Sequence, residues 1–437
     1  MYHFSGKGRH RYLSRVAPVL SLLITVWITA FIVFAAYFSS LDSSRRSERY
    51  GPAKTQTDGS TTVAKNTKEP FNFQELVEKH NLARAFIPWN SPFSWCTHSF
   101  TEDKPTGLLY VKVEKAASST AAGIALRIAH RHGEKVGGGN IAATQPCDVK
   151  YGHLHANKHL NKRHNSAGLA YGNRDKARSF LFATIRDPAS RAVSRTFFGP
   201  VSHENNDPTD ENMLRWLHRG EHIFSPGRGG FQLSYISLKS IGAHSAWDRK
   251  KGIDTVQNPE QVHVNVRNAI SDYDFLIVVE RFDESLVAMQ LLLDLDPADI
   301  LYLSAKSSAA ESYSHNSISR GTCVKLHPSF VSPAVKEYLE SDEWYAKNYG
   351  DYLLHAAASR SLDMTIEALG RGRFNRALEE FLSLKRAANE QCAEKAIWPC
   401  SADGKGQWDK SQLNCYNKDQ GCGYPCLDEF AENLSSR

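Results

Sequence analysis

Residues 107–133 constrain this chain more than any other stretch. An apolar run of strand type, 108–113, leads to Lys115. Small and hydroxyl residues follow, Ala116, Ala117, Ser118, Ser119 and Thr120, and then a helical pattern sets Ile124, Ile128 and Ala129 on one face. In a strand, small-residue turn and helix of this kind, backbone N–H groups converge on an anion and the helix dipole favours negative charge. Lys115 adds a formal cation, and the three hydroxyls add donors. The order of residues excludes a Walker A motif, which sets glycines ahead of a Gly-Lys-Ser/Thr ending. A plain helix start capped by Ser118 or Ser119 is the other reading of the same residues.

A second segment has the same form. Residues 179–185 are apolar enough for a buried strand and run into Arg186, Asp187 and Pro188. Proline suits the first turn of a helix, and Asp187 suits its cap. Arg186 then stands at a strand end, with Ser194 two helical turns on. An arginine fork holds a phosphate through two charge-assisted bonds, and a serine hydroxyl completes such a cradle.

The two segments together resemble the Golgi carbohydrate sulfotransferases, most closely the galactose-3-O-sulfotransferases and the uronosyl 2-O-sulfotransferases. Lys115, Ala116, Ala117, Ser118, Ser119 and Thr120 resemble their loop for the 5′-phosphosulfate; Arg186 through Ser194 resemble their loop for the 3′-phosphate. Residues 274–286 are similar to a late strand and its following helix, 299–302 to the strand beyond, and 373–392 to the closing helix. The likeness spans about 105–392 and is weakest over 199–265. It implies a P-loop-like α/β fold with a central, mainly parallel sheet flanked by helices and preceded by one transmembrane helix. It also implies 3′-phosphoadenosine-5′-phosphosulfate (PAPS) as co-substrate, no metal, and a carbohydrate hydroxyl as acceptor.

Sulfuryl transfer asks for positioning, for cations where charge builds on the leaving phosphate, and for a base that takes the acceptor proton. Lys115 suits the leaving phosphate. For the base, His153 is the first candidate, because its place between the two loops resembles the family's histidine-bearing segment. His155 is a second, and would share a side with His153 in an extended segment. Surface histidines are the plainer reading of both, with His130, His132, His159 and His164 nearby. Glu114 is a third candidate and a departure, since the galactose sulfotransferases commonly carry histidine just before the lysine. Ala116-Ala117 also replaces the usual Thr-Ala, so the acceptor's identity does not carry over.

Weaker features surround these. Arg191 and Arg195 are within reach of a phosphate, although a solvated helix face suits them better. Residues 227–232 read as a surface loop that could border an acceptor groove. Glu280 suits a buttress for the cofactor loops, and Asp283 suits a helix cap.

The flanks fit a membrane-bound lumenal enzyme. Residues 16–38 are uncharged and long enough to cross a bilayer, and too long for an ordinary cleaved leader. Lys7, Arg9, Arg11 and Arg15 precede them with no acid among them, which favours a cytoplasmic tail at 1–15 and type II topology in the Golgi membrane. Residues 39–70 are polar and read as a stem. Residues 71–391 suffice for one large α/β domain, and 392–437 form a cysteine-rich tail. A net charge of +6 in 437 residues is too mild to indicate nucleic acid.

All eight cysteines follow residue 38, and five lie in the tail, so disulfides are expected. Five is odd: at least one pairs upstream with Cys96, Cys147 or Cys323, or stays free. The tail lacks both a Cys-x-x-Cys pair and histidine, which disfavours zinc. Asn433-Leu434-Ser435 is a glycosylation sequon. Two rival classes stand beside the enzyme reading. One is a nucleotide-dependent kinase, for which neither a glycine-rich phosphate loop nor a magnesium carboxylate set is found. The other is a non-catalytic glycan- or nucleotide-binding membrane protein on the same fold.

Overall fold

The computed structural model describes residues 72–90, 104–137, 168–219, 230–239, 259–303, 312–315, 323–396, 398, 400–401, 403–406 and 423–435. All belong to one unit, Glu69–Arg437. The expected membrane span at 16–38, the stem, and the segment holding His153 and His155 lie outside the described residues. No helix among the described residues is long and apolar enough to cross a membrane.

In chain order the elements are α1 (Phe73–Lys79), β1 (Gly107–Val111), α2 (Ser118–Gly137), β2 (Ser179–Ile185), α3 (Pro188–Thr196), a π-helical turn (Phe197–His203), α4 (Asp210–Arg219), α5 (Phe231–Ile236) and α6 (Pro259–Asp272). They continue as β3 (Phe275–Val278), α7 (Phe282–Leu293), β4 (Ser312–His315), β5 (Cys323–Leu326), α8 (Pro333–Leu339), α9 (Asp342–Lys347), α10 (Tyr349–Leu369), α11 (Arg371–Cys392) and α12 (Tyr424–Ser435). This is an α/β arrangement: a small parallel sheet flanked by helices.

The sheet runs in the order β1-β2-β3, all parallel. Leu108 lies beside Phe180 and Val111 beside Ala183; Phe182 lies beside Phe275 and Ile185 beside Val278. Every residue of the three strands is buried, as expected of parallel strands covered on both faces. Tyr110 stacks on Phe182 with ring centroids 4.7 Å apart, and its hydroxyl lies 3.1 Å from that of Thr184. Because the strands are parallel and adjacent, the segments that leave their C-terminal ends emerge along one edge. Ligands of open α/β sheets bind at such edges.

Residues 299–302 are not a strand. Pro297–Ile300 forms a 3-10 turn, because Asp296 and Asp299 make a reciprocal capping box around Pro297. Asp283 is not the cap of α7, which begins after Arg281 with no capping side chain. It lies one residue inside and accepts hydrogen bonds from the Tyr302 hydroxyl at 2.7 Å and from Lys385 Nζ at 2.8 Å.

The tail joins the main core. Cys392 is bonded to Cys426, and Cys323 to Cys400, so among the described residues Cys323 is the upstream cysteine that pairs with the tail. Leu427, Phe430 and Ala431 of α12 are buried in the common apolar cluster. Arg127 of α2, 1% exposed, donates to the Leu427 and Ala298 carbonyls and to Asp428 at 2.8 Å. A guanidinium buried so deeply is tolerated because its donors are met by fixed oxygens. The sequon residue Asn433 is exposed on α12.

Candidate functional site

The first loop is built on two left-handed residues. Lys115 has φ 63° and Ala117 φ 51°, with the buried Ala116 between them. Non-glycine residues in this region cost on the order of 1–2 kcal/mol each. Such alternation turns successive N–H groups to one side, the concavity that receives anions. The Ala117 carbonyl accepts the first helical bond, from Ala121 N at 3.1 Å, so Ala117 holds the cap position of α2. Its methyl group cannot cap. Ser118, Ser119 and Thr120 lie inside the first turn, half-buried, so neither serine is the expected cap.

The second loop follows the sequence closely. Asp187 caps α3 and accepts from Ser190 N at 2.7 Å, with Pro188 at the first helical position. Arg186 leaves β2 and turns to the first loop: its Nη1 donates to the Lys115 carbonyl at 3.0 Å. The two loops therefore meet. Burial lowers the Arg186 guanidinium from its ordinary value, partly offset by Glu280 and Asp187.

Several contacts hold this junction. The amide of the fully buried Gln232 brackets Arg186: Oε1 accepts from Arg186 N at 2.9 Å, and Nε2 donates to Arg186 O at 2.7 Å. Gln232 N and Leu233 N in turn donate to the buried Asp351 carboxylate at 3.0 and 2.9 Å. Glu280 accepts from Asp187 N at 3.0 Å and lies 3.0 Å from His355 Nε2. Burial pushes the Glu280 carboxyl up, but the His355 contact and the Asp187 N–H outweigh it and hold it below the usual range. Glu280 is the buttress the sequence suggested.

Besides Arg186, the two loops and their flanking elements carry Lys112, Lys115, Arg191 and Arg195. Lys115 Nζ lies 3.9 Å from the centroid of the Phe198 ring. Arg195 Nε is 4.0 Å from the Glu114 carboxylate. Arg191 is 2% exposed, not on a solvated face, and its guanidinium stacks 4.2 Å from the Phe231 ring centroid. Burial brings it down to about 10, opposed chiefly by Asp351. Its Nε is buried with no hydrogen-bond partner. Lys112 is buried too. Ser194 lies half-buried on α3.

Residues 230–232 are not a surface loop. Gly230 adopts φ 137°, where an added Cβ would come 2.2 Å from Asp351 Oδ1, and Phe231 and Gln232 are core residues. Gln232, Asp351, His355 and Phe198 escaped sequence reasoning. Each lies far along the chain from the loop it supports or belongs to an irregular turn, and no local spacing marks it. His153 and His155 lie outside the described residues, which leaves Glu114 as the candidate base among them. Among the described residues no group of three or more His, Cys, Asp or Glu is arranged to hold a metal ion.

The fold and site thus define an α/β protein with two cation-bearing loops that meet at the C-terminal edge of adjacent parallel strands. No family model, curated protein or solved structure matches the chain.

Proposed function

We propose that this protein is a PAPS-dependent carbohydrate sulfotransferase, anchored by residues 16–38 in the Golgi membrane with its catalytic domain in the lumen. One observation carries the reading: the Arg186 guanidinium bonds to the Lys115 backbone, so both candidate phosphate loops share one edge of the sheet. A donor with phosphate groups at two ends needs two such cationic loops, a fixed distance apart. The unpartnered, buried Nε of Arg191 behind them fits an anionic ligand as well. The finer fold assignment, the P-loop-like sulfotransferase fold, belongs to this proposal and rests on the resemblance of residues 115–120 and 186–194.

In this reading Lys115 and the N–H groups of 116–120 stabilise charge on the leaving 5′-phosphate. The hydroxyls of Ser118, Ser119 and Thr120 add donors. Arg186 holds the 3′-phosphate, and Ser194, on the helix that Asp187 caps, completes that cradle. The acceptor oxygen forms a bond to sulfur as the bond from sulfur to the phosphate oxygen breaks. The acceptor proton passes to His153, with His155 and Glu114 as alternative bases. PAPS supplies the activated sulfuryl group; the chain supplies position, charge and a base.

The test uses the full chain in detergent. Calorimetry should give tight binding of adenosine 3′,5′-bisphosphate and weak binding of ATP; the reverse order would favour the kinase reading. Incubation with sulfur-labelled PAPS and a glycan panel should label a carbohydrate hydroxyl. Binding without transfer to any acceptor would favour the non-catalytic alternative.

A further inference from the structure

Three consecutive backbone groups of the second loop, Arg186 N–H, Arg186 C=O and Asp187 N–H, are all held by side chains from distant parts of the chain. Gln232 holds the first two and Glu280 the third. Both holders trace back to α10. Asp351 fixes the start of α5, where Gln232 stands, and His355 fixes Glu280. Asp351 and His355 are four residues apart, one turn of a single helix face. The loop is thus gripped from two sides by one rigid element, where an ordinary helix start would satisfy its leading peptide groups with water.

We infer that Gln232 and Glu280 are positioning residues, rooted on α10, that set the direction of the Arg186 guanidinium before any ligand arrives. This rests on the proposed function, in which Arg186 holds a phosphate. A guanidinium on a free loop would lose conformational freedom on binding; one clamped beforehand has already lost it. The same grip aligns Arg186 with the Lys115 carbonyl and so fixes the separation of the two loops. Neither positioning residue needs to touch the ligand.

The test takes Glu280, which is 37% exposed at its side chain, so truncation leaves the core intact. Glu280→Ala removes the acceptor for Asp187 N; Glu280→Gln keeps an oxygen there. Affinity for adenosine 3′,5′-bisphosphate is measured by calorimetry, and amide exchange of a peptide covering 182–195 by mass spectrometry on the unliganded full chain. Loss of one such bond should weaken binding about tenfold in Glu280→Ala and speed exchange by about as much, with Glu280→Gln restoring both to within about threefold. A Glu280→Ala protein that binds and exchanges like the unaltered chain overturns the inference. Faster exchange with unchanged affinity overturns it as well, because the loop would then be held without consequence for the anion. Should the unaltered chain bind no bisphosphate, the proposed function fails, while the exchange data still decide whether Glu280 grips the loop.

Discussion

Arg186 Nη1 and the Lys115 carbonyl oxygen are 3.0 Å apart, a side chain of one loop bonded to the backbone of the other. The guanidinium has five N–H donors, and this bond engages one of them. The contact joins into one candidate anion site two segments separated by more than a whole strand and helix. Truncating either cation should therefore impair the same function.

Arg186→Ala and Lys115→Ala should each weaken adenosine 3′,5′-bisphosphate binding about 10- to 100-fold, the worth of one charge-assisted contact. Arg186→Lys should recover little, because an ammonium cannot reproduce the planar fork. Calorimetry reads the affinity, and thermal unfolding checks that the variants remain folded. Unchanged affinity in both alanine variants would remove the site.

Ala117→Gly should stabilise the protein slightly, by about 0.5 kcal/mol. Glycine relieves the left-handed strain at φ 51° but adds freedom to the unfolded chain, and the first effect is the larger. Chemical denaturation reads the sign. A clear loss of stability would mean that the alanine methyl supports the loop by packing.

Gly230→Ala should destabilise by more than about 2 kcal/mol, since its Cβ meets the Asp351 carboxylate at a φ that L-residues avoid. Asp351→Ala should cost about 3 kcal/mol, because it strands the N–H groups of Gln232 and Leu233 and removes the anion facing Arg191. Denaturant midpoints at neutral pH check both.

Two pH windows should appear in thermal stability. Burial alone would raise the Asp299 carboxyl, but bonds from His132 Nε2 at 2.9 Å and Arg131 Nε at 2.7 Å hold it far below its ordinary 3.8. Its contribution is therefore complete above that value and drains away as pH falls below it. The His263 imidazole is lowered from 6.5 by burial and then by His80, whose ring centroid is 4.0 Å away. Its contribution is present above 6.5 and is lost as pH falls below. Asp299→Asn should flatten the acid window and His263→Gln the higher one; scanning calorimetry between pH 3 and 8 reads each slope.

Cys426→Ser should lower stability by about 3–4 kcal/mol under non-reducing conditions, the chain-entropy value for a 34-residue separation. It should also free α12 from α11, which limited proteolysis of the last residues would detect. Retained stability and protection would show that the apolar seat of Leu427 and Ala431 suffices.

The strand expected at 108–113 and found at Gly107–Val111, the strand at 179–185 and the cap at Asp187 were legible in the sequence, because each depends on neighbours a few residues away: apolar continuity, a proline, a capping carboxylate. Order along the chain likewise set both cations just beyond strand ends. Which strands lie side by side depends on backbone pairing across distant segments, and that pairing brought the loop of Arg186 to the loop of Lys115. Gln232, Glu280 and Asp351 acquire their roles only through burial, where an unpaired peptide group is costly and whatever side chain lies close must satisfy it. Local propensity wrote the loops; long-range packing decided that they form one site.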